Sequence, residues 1–113
     1  MIEAIGTDIV EICRIERAMR NPKFLERILT PTELNHPLTV ERVAGRWAAK
    51  EAIAKCFAQR LSWHDVEIHV SLNGAPQAKL VKSHLQRPGW KIHISISHER
   101  THAMAIAIIE SES

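Results

Sequence analysis

The chain has 113 residues, of which 45% are hydrophobic and 25% are charged, and its formal net charge is +2. This length suits one domain with a modest core, so residues 1–113 are expected to fold as a single unit. The sequence has no apolar run long enough to span a bilayer, and the small net charge gives no argument for nucleic-acid binding.

The first residues carry Glu3 and Asp8 without a basic segment, which argues against a targeting peptide. Cys13 and Cys56 are not at a metal-binding or disulfide spacing, and we interpret both as small buried residues of a protein in a reducing compartment. The sequence therefore predicts a cytoplasmic protein.

The N-terminal third of the chain predicts a strand followed by short helices. Residues 2–6 favour a short strand that runs on into Asp8, and a helical pattern of apolar residues follows. Asn21-Pro22 is expected to divide that helix in two. Thr30 and Glu33 have the spacing of a capping box, which indicates a further helix start.

The first helical segment also carries a regular set of cations. Its basic residues recur every three or four positions, which would align them on one helix face and suit an acidic partner. A solvated helix face would account for the same pattern. The set consists of Arg14, Arg17, Arg20, Lys23 and Arg27.

Thr39 can cap the longest helix, which is predicted to run to about Gln59. Its apolar residues occupy more than one side, as expected of a central helix. Glu51 and Lys55 lie one turn apart and, at about 100° per residue, fall inside the main apolar stripe. Both charges are therefore expected to point toward a packed surface.

This charged pair has two interpretations. An ion pair at this spacing supports a helix by a few tenths of a kcal/mol. Alternatively, a buried carboxylate needs a cationic partner or a metal, which would mark a functional site. Asp8 either caps the helix that follows it or supplies a second carboxylate. Two carboxylates from separate segments suit Mg²⁺, which completes its shell with water and phosphate oxygens, and Lys55 would then face the phosphates.

The C-terminal half predicts a strand over Val66–Leu72, a turn at Asn73–Pro76 and a short helix over Gln77–Gln86. Two apolar patterns then form a hairpin, with His98 at its mouth, where it could orient a substrate or shuttle a proton. The chain is thus predicted to be α+β, with about four strands and one dominant helix.

Five segments in this order resemble those of the holo-(acyl carrier protein) synthases, the small bacterial class of 4'-phosphopantetheinyl transferases. They are IGTDIVEICRI, ERILTPTEL, AGRWAAKEAIAKCF, DVEI with the NGAP turn, and HISISHERTHAMA, and they cover nearly the whole chain. The resemblance implies an antiparallel sheet packed on one long central helix with additional short helices. It also implies a homotrimer with active sites between subunits.

The same resemblance implies a reaction of fatty acid biosynthesis. The family transfers the 4'-phosphopantetheine arm of coenzyme A to a serine of apo acyl carrier protein, depends on Mg²⁺, and releases adenosine 3',5'-bisphosphate. Asp8 and Glu51 match its metal ligands, and Lys55 matches the lysine near the pyrophosphate. The base for the serine proton stays open between Glu51, a metal-bound water and His98.

Other positions match the family's binding residues. Arg46, the Gly74 to Pro76 turn and His98 correspond to positions near the nucleotide, and the planar fork of Arg46 suits the 3'-phosphate. Arg14 matches the best-placed docking arginine for the acidic carrier protein. The resemblance offers further docking cations in Arg17, Arg20 and Arg27, with Leu25 and Ile28 as apolar contacts.

The chain departs from the family after the long helix. Phe57 is followed by Ala58-Gln59-Arg60-Leu61, where the family usually has a loop of the Gly-Thr-Gly type. Two rival hypotheses also stand beside the transferase. One is a non-enzymatic module that binds an acidic partner through the arginine strip, and the other is a different Mg²⁺-dependent nucleotide enzyme, such as a pyrophosphate hydrolase.

Overall fold

A computed structural model describes residues 1–112 of the chain. Within these residues one strand is followed by four helices and then by four strands, which is an α+β order, as the sequence predicts. The strands are β1 (Ile2–Glu11), β2 (Val66–Val70), β3 (Pro76–Leu80), β4 (Trp90–His98) and β5 (His102–Ser111). The helices are α1 (Ile12–Ala18), α2 (Pro22–Ile28), α3 (Pro31–Leu34) and α4 (Val40–Ala54), with short 3₁₀ turns at Trp63–Asp65 and Ser83–Leu85.

All strand pairs are antiparallel and form two sheets among the described residues. The larger sheet has the order β1-β5-β4, and β2 and β3 form a separate two-stranded sheet. The long helix α4 packs against the larger sheet and contacts all three of its strands. No helix of residues 1–112 is long and apolar enough to cross a membrane.

Several predicted boundaries are confirmed. Asn21 caps α2 through its side chain and separates it from α1, as predicted from Asn21-Pro22. Thr30 and Glu33 form the expected capping box at the start of α3. Thr39 caps α4 by accepting a hydrogen bond from the Arg42 amide, and the hairpin of β4 and β5 is present.

The predicted helix over Gln77–Gln86 is wrong. Pro76–Leu80 instead forms β3, whose residues pair with Val66–Val70. The tight turn at Asn73–Pro76 returns the chain directly alongside β2, and the strand ladder satisfies backbone groups that a helix would otherwise satisfy internally. The described part of the chain therefore has five strands, one more than the pattern indicated.

Three smaller predictions also need correction. The first strand runs on to Glu11, because β5 pairs along it as far as His102. Helix α4 ends at Ala54 rather than near Gln59, and Lys55 is its C-cap. Cys13 is an exposed thiol, because it lies on the outer face of the short helix α1, whereas Cys56 is partly buried.

Small side chains on both surfaces let α4 lie close to the sheet. Alanines of the helix and of β5 are almost fully buried where the two meet: Ala44, Ala48, Ala49, Ala52, Ala103, Ala105 and Ala107. The closest approach is at Gly6 of β1, where a Cβ atom would lie 2.1 Å from the carbonyl oxygen of Ala52. At Gly45 a Cβ atom would lie 3.0 Å from Cγ2 of Ile96. The first contact is with backbone, so it has little capacity to adjust.

A buried ion pair fixes the opposite side of α4. The Lys50 ammonium lies 2.6 Å from Oε1 of Glu33, and both side chains are almost fully buried. Lys50 also donates to the carbonyls of Ile28 and Trp63, while Glu33 accepts from the amides of Thr30 and Ile68. Burial lowers the pKa of Lys50, and the bond to Glu33 opposes that shift. The pair thus joins α2, α3, α4 and β2.

We predict that Gly6→Ala destabilises the fold by about 1–3 kcal/mol, because the added methyl group overlaps a helix carbonyl. Gly45→Ala is the matched control, since its closest neighbour is a side-chain methyl group at 3.0 Å rather than a backbone oxygen at 2.1 Å, and alanine favours the helix. Urea unfolding of the two variants measures the difference. Equal stability of Gly6→Ala and the unsubstituted chain would contradict the close packing of β1 on α4.

Candidate active site

Asp8 and Lys55 meet where β1 crosses the end of α4. Side chains alternate along β1, and Asp8 shares the inward face with Gly6 and Val10. The Lys55 ammonium lies 2.7 Å from the Thr7 carbonyl oxygen and 3.2 Å from Oδ1 of Asp8. The Asp8 side chain is 16% exposed and that of Lys55 is 54% exposed. Asp8 therefore does not cap α1, whose N-cap is Glu11.

Glu51 lies in the last turn of α4 and is half-buried. Burial raises the pKa of its carboxyl group, and the negative charge of Asp8 raises it further, while Lys55 opposes the shift. Among the described residues no ion pair joins Glu51 to Lys55, because the ammonium binds Asp8 instead. Glu51 is thus half-buried, as expected, whereas Lys55 follows the last residue of the helix and is more than half exposed, although its ammonium contacts β1.

The two carboxylates fit the ligand chemistry of Mg²⁺. Each oxygen is of the type that this ion prefers, and the repulsion between Asp8 and Glu51 that raises the pKa of Glu51 would be relieved by a cation. Within residues 1–112 no group of three or more histidine, cysteine or acidic side chains is arranged to hold a metal. A metal at Asp8 and Glu51 would therefore draw its remaining ligands from water or a substrate.

A second group of predicted residues meets at the other end of α4. A cavity of about 220 Å³ is lined by Arg46, Gly74, Pro76 and His98. These side chains come from α4, the turn between β2 and β3, and the end of β4. The structure thus brings together four of the five residues predicted to bind the cofactor, while the fifth, Lys55, lies with Asp8 away from this cavity. It adds Glu41, Arg42, Gly45 and Ile96 to the lining.

Among the residues that line this cavity, Arg46 gives the clearest evidence for an anion-binding site. It is only 6% exposed, and its buried Nε has no hydrogen-bond partner among residues 1–112. Burial lowers the pKa of its guanidinium, Glu33 opposes that shift, and Arg42 adds to it. A buried donor without an acceptor is costly, and an anionic ligand would satisfy it. Arg42 was not predicted, although it lies one helical turn before Arg46.

The two turns beside this cavity have defined shapes. Gly74 has a φ of +87°, a backbone conformation that favours glycine, and its amide donates to the Ser71 carbonyl. In the hairpin turn, hydrogen bonds lower the pKa of Glu99 to about 2. The largest effects come from the Thr101 hydroxyl and amide, and the His102 amide adds to them. These bonds hold the turn next to His98, which is exposed at the cavity mouth.

Glu51 opens onto a different cavity, of about 530 Å³. The segment from Phe57 to Leu61, which replaces the family's glycine-rich loop, forms one wall, and Trp63 lies on another side. Gln59 and Arg60 therefore lie beside the candidate metal ligand, a position that no sequence motif indicated. This cavity and the Arg46 cavity share no lining residue.

The predicted docking cations are all on the surface. Arg14, Arg17, Arg20 and Arg27 are exposed, and Leu25 is half-buried. Ile28, however, is only 1% exposed and belongs to the core, so its predicted contact with a partner is wrong. The reason is the direction of α2, whose Phe24 and Ile28 both face inward.

The outer face of the larger sheet is apolar and open. Ile5 is 63% exposed, Ile9 is 65% exposed and Met104 is 44% exposed. Ile5 pairs with Ile108, and Ile9 pairs with Met104, so these side chains form one continuous surface across β1 and β5. Exposed apolar patches of this kind are candidates for contact with another protein.

Comparisons with known proteins cover almost the entire chain. Residues 4–107 match the 4'-phosphopantetheinyl transferase superfamily. A holo-[acyl-carrier-protein] synthase of Exiguobacterium sp. (strain AT1b) is 44% identical, with 99% of this chain and 95% of the relative covered.

Solved structures show the same fold. The structure of a holo-(acyl-carrier-protein) synthase from Bacillus anthracis in complex with CoA (3',5'-ADP) has a TM-score of 0.85 and 36% identity, with 99% of each chain covered. The Helicobacter pylori enzyme in complex with coenzyme A has a TM-score of 0.81 and 33% identity, with 94% of this chain and 99% of that chain covered. Both similarities extend over α4 and the two sheets.

Proposed function

Because the chain belongs to the holo-(acyl carrier protein) synthase family of 4'-phosphopantetheinyl transferases, we propose that it moves the phosphopantetheine arm of coenzyme A onto a serine of apo acyl carrier protein. The reaction depends on Mg²⁺, releases adenosine 3',5'-bisphosphate and serves fatty acid biosynthesis. The observation that supports this most directly is the gathering of Arg46, Gly74, Pro76 and His98 around one cavity. A cytoplasmic location agrees with the two free thiols.

In the proposed mechanism, the cavity of Arg46 holds the nucleotide. The unpaired Nε and the fork of Arg46 bind the 3'-phosphate, and the turn at Gly74 and Pro76 borders the base or ribose. His98 closes the mouth of this cavity and orients the nucleotide. These groups position the substrate without taking part in bond breaking, which lowers the entropic cost of the reaction.

Asp8, Glu51 and Lys55 act on the pyrophosphate. The two carboxylates would hold Mg²⁺, and the bound ion would neutralise charge on the phosphate that is attacked. The Lys55 ammonium stabilises the negative charge that develops on the leaving phosphate. We assign the proton of the carrier serine to the Glu51 carboxylate, because this half-buried group lies at the same end of α4 as the Lys55 ammonium.

Mass spectrometry of an apo acyl carrier protein tests this function. Incubation with the protein, coenzyme A and Mg²⁺ is expected to add the mass of the phosphopantetheine arm. Asp8→Asn and Glu51→Gln keep the side-chain shapes and should each lower the transfer rate by about 100-fold or more, while circular dichroism stays unchanged.

Glu3→Gln is the matched control, because Glu3 lies on the same strand as Asp8 and is exposed. It should leave transfer unchanged. Near-normal transfer by either site variant would refute the metal assignment. Calorimetry of coenzyme A separates the rival hypotheses, since a binding module would show no Mg²⁺-dependent uptake and a pyrophosphate hydrolase would cleave coenzyme A without any carrier protein.

The carrier protein is proposed to dock on the exposed arginines of α1 and α2. Arg14→Glu should raise the KM for the carrier by about tenfold at low salt and change kcat little, because it reverses one charge at an electrostatic surface. Lys79→Glu, on the exposed face of β3, is a charge-matched control. The docking surface is refuted if both variants show the same KM for the carrier at low salt.

We also propose a homotrimer in which neighbouring subunits complete each active site. Arg46 and Glu51 are five residues apart and so point about 140° apart around α4, and their cavities are separate. Each chain thus carries nucleotide-binding residues on one side of α4 and metal-binding residues on another. In the trimer, the nucleotide-binding residues of one subunit would face the metal-binding residues of its neighbour. The open apolar sheet face, with Ile5 and Ile9, supplies a surface for association.

Subunit complementation tests this arrangement. Asp8→Asn and Arg46→Met variants with different tags should each be inactive alone, yet the whole population of trimers formed by equal co-expression should regain roughly a quarter of the normal activity. This fraction follows because a complete site then needs one intact half from each of two neighbours. Light scattering reports the oligomer mass. Mixed oligomers without activity would show that each chain contains its own complete site.

A further inference from the structure

The position of the Lys55 ammonium bears on the order in which the metal and coenzyme A bind. This inference rests on the function proposed above. In the structure this ammonium contacts Oδ1 of Asp8 at 3.2 Å and the Thr7 carbonyl oxygen at 2.7 Å. Asp8 is the more enclosed partner of the pair, with a side chain 16% exposed. The only cation that the described residues place on this carboxylate is therefore Lys55.

A divalent cation and this ammonium would compete for the same carboxylate. Mg²⁺ binds carboxylate oxygens at about 2 Å, so a second cation hydrogen-bonded to the same group opposes it by charge repulsion. The ammonium also holds the Thr7 carbonyl, a second anchor that keeps it at the site. Lys55 thus lowers the affinity of the empty site for the metal.

The same ammonium is free to move. The Lys55 side chain is 54% exposed and follows the last residue of α4, so its four-carbon stem can swing without disturbing the helix. An anionic diphosphate bound beside Glu51 would offer it a stronger partner than a single carboxylate. Once the ammonium turns to the diphosphate, the carboxylate of Asp8 becomes available.

We propose that Lys55 blocks Asp8 in the ligand-free protein and that the diphosphate of coenzyme A draws it away, so that nucleotide and metal bind cooperatively. Each ligand then raises the affinity for the other by the same factor. The empty enzyme binds Mg²⁺ poorly, and the metal enters together with, or after, coenzyme A. Lys55 accordingly acts twice, first as a substitute for the metal and then as a ligand of the phosphate.

Electron paramagnetic resonance of Mn²⁺ tests this proposal without turnover. The probe is Mn²⁺ alone, titrated into the ligand-free protein, and the free-ion signal gives the dissociation constant. Lys55→Met should bind Mn²⁺ about fivefold more tightly than the unsubstituted chain, because the competing ammonium is gone. Lys55→Gln provides a second neutral variant, and circular dichroism checks the fold of both.

Arg60→Gln is the matched control for a general charge effect. Arg60 is a cation that lines the cavity of Glu51, and none of the contacts among the described residues joins it to Asp8. Its neutralisation should change Mn²⁺ binding much less than that of Lys55. Equal Mn²⁺ affinities for the Lys55 variants and the unsubstituted chain, or an equal gain from Arg60→Gln, would overturn the proposal.

A parallel titration in the presence of coenzyme A separates this inference from the proposed function. If the unsubstituted chain binds Mn²⁺ with coenzyme A but the Lys55 variants show no gain without it, only the blocking role fails. If Mn²⁺ binds neither with nor without coenzyme A, the metal site itself is absent, and both the site and the blocking role are refuted.

Discussion

The contact between Gly6 and the carbonyl oxygen of Ala52 is the constraint on which the candidate site depends. A Cβ atom at Gly6 would lie 2.1 Å from that oxygen, so only glycine lets β1 lie directly on the end of α4. This contact brings Asp8, two residues further along β1, to the same place as Lys55 and beside Glu51. The charges of the site are therefore held by backbone packing rather than by their own attraction.

The rest of the molecule holds α4 in the orientation that this contact requires. On one side its alanines pack on the sheet, and on another the Lys50 and Glu33 pair joins it to the short helices and β2. Removing one partner of such a pair costs about 3–5 kcal/mol, because the other charge is left buried. Lys50 therefore fixes the position of α4, and the next residue, Glu51, faces the site.

The sequence predicts what local rules control and misses what only tertiary contacts decide. Capping residues such as Thr30 and Thr39 mark helix starts, and alternation marks the hairpin, because both signals act within a few residues. The strand β3 was missed because its pairing with β2 overrides a short helical pattern. The sequence also does not indicate that Lys55 contacts Asp8 or that Glu33 contacts Lys50. These partners are 47 and 17 residues apart along the chain, beyond the reach of local patterns. Asp8 and Glu51 were identified as candidates from residue type, but their proximity follows from Gly6.

Anomalous diffraction from a crystal grown with Mn²⁺ and coenzyme A tests the central claim most directly, namely that Asp8 and Glu51 of one chain hold a divalent cation against the diphosphate. The account predicts an anomalous peak within bonding distance of both carboxylates and of a diphosphate oxygen, with Lys55 turned from Asp8 to the phosphate. A peak away from these carboxylates, or coenzyme A bound with Lys55 still on Asp8 and no metal between them, would contradict it.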